Sequence, residues 1–85
     1  MMSKGDVIRA IYRQVDAPSW AAPNLDALAD VLRDLSWLPE AAVELELPSL
    51  DDLGEDDRRA VLLALARAVD DSIESARPVR VRHAH

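Results

Sequence analysis

An 85-residue chain has the size of one small domain: it buries roughly 60–65% of the surface its unfolded form exposes, so residues 1–85 are expected to share a single core. Hydrophobic residues make up 49%, which excludes a disordered chain, and aromatics only 4% (Tyr12, Trp20, Trp37), so the core is left to Leu, Val, Ile and Ala. Sixteen acidic against ten basic side chains give a formal charge of −6, which disfavours phosphate-led nucleic-acid binding and favours a basic partner.

Five prolines, Pro18, Pro23, Pro39, Pro48 and Pro78, divide the chain into segments. Asp6 to Val15 reads as a first helix, with Val7, Ile8, Ile11 and Val15 on one face and Asp6 as its cap; Pro18 ends the segment. Asn24 caps a second helix that runs to about Ser36. Leu25, Leu28, Leu32 and Leu35 form its apolar stripe, with Val31 beside it. Asp26 falls in the first turn, where the helix dipole favours negative charge.

Ala42 to Leu47 alternates, with Val43, Leu45 and Leu47 pointing one way and Glu44 and Glu46 the other, the period of a half-buried strand. Ser49 is placed to cap a short turn through Asp52. A long helix then spans about Glu55 to Ser72, with Val61, Leu62, Leu65, Ala68 and Val69 as its core stripe and an acidic first turn. After Pro78, Val79 and Val81 alternate with Arg80 and Arg82 as a second strand. Strand, helix, strand is a βαβ unit, expected to be parallel and right-handed, with Glu44 and Glu46 beside Arg80 and Arg82 on the exposed face.

The most unusual feature is a carboxylate row. Asp26, Asp30 and Asp34 follow one another at i, i+4 and i+8, on one face of the second helix. Like charges at that spacing cost roughly 0.2–0.5 kcal/mol per pair. The dipole offsets this near the helix start, and Arg33 relieves Asp30. The pattern is that of a solvated helix face, or of a surface shaped to meet cations, either Lys and Arg of a partner or a metal.

Pro18-Ser19-Trp20, then Asn24-Leu25-Asp26-Ala27-Leu28, then Asp30 and Leu32, resembles the signature of the barstar family of ribonuclease inhibitors, an aromatic loop running into an N-L-D-A-L helix. The match is tightest over Pro18 to Leu32, and the order of strand, long helix and closing strand follows the family to the end of the chain. The resemblance implies a two-layer α/β fold with helices on one face of a small parallel sheet. It also implies a function without chemistry, the one-to-one blocking of a basic ribonuclease, or of a toxin of that kind, by an acidic helix and the preceding loop. Asp30 matches the family's central carboxylate and Asp26 a second one. Trp20 matches an aromatic that packs on the catalytic region. Ala21, Ala22, Pro23 and Asn24 match contact positions, with Ala27 and Asp34 on the same stretch.

The chain departs from the family in places. Only Met1 to Gly5 precede Asp6, so the family's N-terminal strand is expected to be missing, leaving two strands and an edge open to pairing between chains. Ala29 replaces a common aromatic, Ala22 a common Gly, and Ala21 a second loop aromatic. Arg67 stands where a contacting Glu is often found, and would repel a basic nuclease. These changes favour, as an alternative, a barstar-like module with a non-nuclease partner.

Other chemistry has little to build on. Cysteine is absent, which excludes disulfides, thiolate zinc sites and thiol nucleophiles. Asp26 and Asp30 could form an acid–base pair, but no His lies near them, and His83 and His85 supply only two metal ligands. No enzyme, cofactor or metal is therefore expected. Met1 to Asp6 holds no signal-peptide apolar run and no segment approaches a membrane span of roughly 18 residues, so the expected compartment is the cytoplasm, with no membrane partner.

Overall fold

The computed structural model describes residues 2–83. In chain order it contains α1 (Lys4–Gln14), α2 (Leu25–Asp34), β1 (Val43–Leu47), α3 (Glu55–Ser72) and β2 (Val79–His83). The first helix starts two residues earlier than the sequence predicts. Ser3, not Asp6, is the cap: its hydroxyl accepts the Asp6 N–H at 3.2 Å, and the Asp6 carboxylate reaches back to the Ser3 N–H at 3.0 Å. This is a capping box, in which an acid at the third helical position closes the turn before it. The Ser3 backbone N–H, and then its hydroxyl, hold the Asp6 carboxyl below its ordinary value.

A residue in the left-handed region follows each of the first two helices, Asp16 two positions after the end of α1 (φ 50°) and Leu35 directly after α2 (φ 48°). For Asp this is tolerated. For Leu it costs on the order of 1–2 kcal/mol. Leu35 is fully buried in the core, and burying a leucine contributes about 1.5–3 kcal/mol, so packing outweighs the backbone cost. The turn that follows directs Trp37 back onto α1, where its indole N–H donates to the Val15 carbonyl at 2.8 Å.

The strands pair in parallel with Val43 opposite Val79, Glu44 opposite Arg80 and Glu46 opposite Arg82. This is the expected two-stranded α/β arrangement, with α1 lying against β1, α3 against β2, and α2 packed on α3 and α1. Leu45, Leu47 and Val79 are buried beneath the helices, and the Glu and Arg side chains face solvent. The opposite charges are in register, but none of the ion pairs within 4 Å among the described residues joins the strands. Their attraction acts through water and is correspondingly weak.

Both outer edges of the sheet are closed in part by helix side chains. Val43 donates to the Pro78 carbonyl at 2.8 Å, so the alternate residue Glu46 turns its backbone away from β2. There the Gln14 carboxamide takes both groups: Oε1 accepts the Glu46 N–H at 2.6 Å and Nε2 donates to the Glu46 carbonyl at 2.8 Å. On the opposite edge the Val79 N–H donates to the Ser72 hydroxyl at 2.8 Å, and that hydroxyl donates to the Val69 carbonyl at 3.0 Å.

The core holds the predicted faces of α1 and α2, with three corrections elsewhere. Leu62 is exposed, because α3 buries only the side that carries Val61 and Leu65, and Leu62 lies a quarter-turn round from it. Leu50 and Leu53 are buried although they lie in no periodic segment; the turn after β1 folds them inward. Within that turn the Ser49 hydroxyl accepts from the Asp51 N–H at 3.3 Å, while the Asp52 carboxylate goes to the Met2 N–H at 3.2 Å instead of completing a cap. Ser72→Ala leaves the buried Val79 N–H without an acceptor. Urea unfolding is expected to show a loss of about 1–3 kcal/mol, concentrated in early exchange of the β2 amides.

Candidate protein-binding site

The loop between α1 and α2 is built on two carbonyls, those of Pro18 and Ala22. Ala21 donates to the Pro18 carbonyl at 3.0 Å, closing a turn that leaves the Trp20 side chain 63% exposed at its tip. Trp20 is therefore an outward-facing aromatic and not a lid on the core. Next along the chain, the Ala22 carbonyl accepts twice, from the Tyr12 hydroxyl at 2.7 Å and from the Asn24 N–H at 2.9 Å. The Asn24 side-chain oxygen then accepts the Ala27 N–H at 2.8 Å and opens α2, as the sequence predicts. Ala22, Pro23 and Asn24 are exposed, whereas Ala21 and Ala27 are half-buried, with Ala21 packed against the core.

Asp26, Asp30 and Asp34 all face solvent on α2. A residue four places on is rotated by about 40° on an α-helix, so the row drifts across the outward face instead of forming a straight line. Asp30 pairs with Arg33 at 3.6 Å, but both side chains stay about two-thirds exposed. An exposed pair of this kind is worth roughly 0–1 kcal/mol, too little to take the carboxylate out of play. Asp26 and Asp34 belong to none of the ion pairs among the described residues.

Sequence reasoning passed over Tyr12. It is nearly buried, it tethers the loop, and burial followed by the Asp30 charge raises its phenol above the usual value. A lone tyrosine on an otherwise aliphatic helix face was the available signal. At the edge of the carboxylate row, α2 and α3 enclose a groove of about 400 Å³, whose charged lining is Asp26, Arg33 and Asp34 from α2, Arg67 and Asp71 from α3, and Arg77, with Ala29 and Ala64 between them. Arg67 and Ala29, two of the departures from the family pattern, thus line the same groove.

Asp26 borders the groove between α2 and α3, whereas Asp30 is not among the residues that line it. His83 is exposed at the end of β2, and His85 lies outside the described residues. No group of three or more His, Asp or Glu among the described residues could hold a metal ion. No described helix is long and apolar enough to cross a membrane.

A family model described as Barstar (barnase inhibitor) matches residues 1–84. The chain belongs to the barstar family. Searches of curated proteins and of solved structures found no match. The helix order, the parallel strand pair and the Asn24-capped acidic helix of this barstar-family chain agree with what its loop and N-L-D-A-L segment imply. The family description is that of a protein that inhibits another protein, barnase.

Because Tyr12 is the one tyrosine of the chain, its ionisation can be followed by absorbance near 295 nm, where tyrosinate is read out. The phenol should titrate above pH 10. A raised folded value means that its stabilisation is fully present below the unfolded value and is lost as pH rises through the folded one. Tyr12→Phe removes the tether at neutral pH. The expected effect is about 0.5–1.5 kcal/mol of stability and faster hydrogen exchange of the Asn24 amide. Unchanged exchange there would mean that the loop holds its shape without the tether.

Proposed function

We propose that this protein inhibits a basic ribonuclease, or a toxin of that kind, by placing α2 and the preceding loop in its active site. The observation that carries the reading is the exposed acidic face of α2, set beside Trp20 on an anchored loop in a chain of a family described as barnase inhibitors. In a cleft evolved for RNA phosphate, Asp30 would take the place of a phosphate group and meet the nuclease's Lys and Arg. Asp26 and Asp34 would extend the same field, and Trp20 would pack on the catalytic region. The contact face would comprise Trp20, Ala21, Ala22, Pro23, Asn24, Asp26, Ala27, Asp30 and Asp34. Attraction between an acidic and a basic face raises the association rate, and the desolvated charge pairs then set the dissociation rate.

No turnover and no cofactor enter this reading. Residues 1–85 act as one unit, in the cytoplasm. A second reading keeps the same face but gives it a non-nuclease partner. It is favoured by Arg67, whose positive charge near the acidic row would oppose a strongly basic protein, and by Ala29, which offers little area to a cleft.

Titration against a panel of small basic ribonucleases separates the two. Stoichiometric loss of RNA cleavage is expected against at least one of them, weakening as salt rises. Asp30→Ala should weaken that inhibition with the circular dichroism spectrum unchanged. Truncating one member of a buried charge pair costs about 2–5 kcal/mol in general, a range drawn in part from a complex of this same family. Inhibition that survives Asp30→Ala unchanged would remove the acidic helix from the mechanism. A panel left fully active, with the same face capturing another protein, would favour the second reading.

A further inference from the structure

The outer edge of β2 is closed at one group only. The residues of β2 whose backbone points away from β1 are Val79, Val81 and His83, and there the Ser72 hydroxyl takes the Val79 N–H. The Val79 carbonyl and both backbone groups of Val81 have no partner among the described residues. An unpaired row of this kind is a template for a further strand.

Beside that edge runs an apolar stripe. Leu62, Ala66, Val69 and Ile73 of α3 fall within about 60° of arc on the helix. Ala60, Ala64, Arg67 and Asp71, which line the groove with α2, lie on the opposite flank, so the stripe is turned away from α2. Ser72 fixes its place next to β2, because the same hydroxyl joins the Val69 carbonyl to the Val79 N–H. Leu62, Ala66 and Ile73 are exposed, whereas Val69 and Val81 are half-buried against the core. Charged residues stand at the two ends of the stripe. Glu55, Arg58 and Arg59 flank its start, with Glu55 and Arg59 already paired at 3.2 Å, and Asp70 and Glu74 flank its end.

The solvent face of the same strand is basic. Arg80 and Arg82 are exposed and belong to none of the ion pairs among the described residues, although Glu44 and Glu46 stand opposite them in register. A strand laid on the β2 edge would meet these arginines on one face and the α3 stripe on the other. A segment that alternates acidic and apolar residues satisfies both, whereas a basic one sets like charges beside Arg80 and Arg82. A second copy fits less well. Its own β2 would bring two more arginines and another α3 to the same place, and the outer edge of its acidic strand is closed at Glu46 by Gln14.

We propose that the open edge of β2, together with the α3 stripe, docks an extended segment of another protein that alternates acidic and apolar residues. This is a second contact surface, apart from α2 and independent of the inhibitor reading.

The ¹³C,¹⁵N-labelled full chain can be titrated by NMR with a capped peptide of about nine residues, a usual strand length, that alternates Val or Leu with Glu as β1 does. The control is the same peptide with Lys for Glu. Saturable shifts are expected at the Val81 amide and at the Leu62 and Ile73 methyls, with at least about twofold weaker binding of the lysine peptide, from two cross-strand charge pairs. Val81→Pro deletes the outward N–H and spares the ladder to β1, since proline is accepted at such edge positions; it should abolish the shifts at Ile73. Ile73→Ser changes an exposed side chain and should weaken binding severalfold with the circular dichroism spectrum unchanged. Asp30→Ala should leave peptide binding as it is, which separates this surface from the acidic face of α2. The proposal is overturned by an absence of saturable shifts at Val81, by equal binding of the lysine peptide, or by binding that survives both Val81→Pro and Ile73→Ser. It is equally overturned by a Val81 amide that shifts with protein concentration in the absence of peptide, which would assign the edge to a second copy.

Discussion

A two-stranded parallel sheet cannot stand by itself, and the rest of the molecule is arranged around that constraint. Two strands bury too little to be stable alone, and a parallel pair needs a long crossover between them. Here α3 is the crossover, and its end is bonded to the strand it leads into, through the Ser72 hydroxyl and the Val79 N–H. On the other edge α1 is bonded to β1 through the paired contacts of Gln14 with Glu46. Helices are thus joined to strands by hydrogen bonds as well as by apolar contact. With α1 and α3 set in this way, α2 packs against both, and its orientation follows.

The acidic face of α2 is inexpensive to keep because the opposite face is well buried. Two like-charged i, i+4 contacts cost roughly 0.2–0.5 kcal/mol each, whereas each large aliphatic side chain buried contributes about 1.5–3 kcal/mol. Leu28, Val31, Leu32 and Leu35 are all buried, so packing exceeds repulsion several-fold. The Asn24 cap and the dipole at the helix start reduce the cost further. Arg33 softens the field at Asp30 without sequestering it, since both side chains remain largely in water. A charged surface can therefore be shaped for a partner with little loss to the fold. The loop before it is held by a neutral group, the Tyr12 phenol, whose hydrogen bond to a carbonyl is insensitive to salt.

The elements with strong periodicity were legible. The alternations over residues 42–47 and 79–82 gave the strand faces and the pairing of an acidic with a basic strand, and the N-L-D-A-L segment gave the cap and the stripe of α2. The start of α1 was misread because two residues compete for the cap and only the reciprocal Ser3–Asp6 contacts decide between them. Leu50 and Leu53 escaped notice because a turn has no period, and Leu62 was over-assigned because an apolar run is wider than the face it buries. Of the candidate site, the residue types and the helix were readable. The tether from Tyr12 and the groove at Ala29 were not, as each joins residues from different elements.

The sequence by itself determined the elements, their apolar faces, the charge row and the family, because all of these are written in local spacing and composition. Only the tertiary structure decided which exposed groups stand together. Trp20 at the loop tip, the anchored Ala22 carbonyl, the Gln14 closure of the sheet edge and the groove between α2 and α3 all arise from packing between segments distant in sequence. Local propensity acts over a few residues, and such neighbours meet only after the chain has folded.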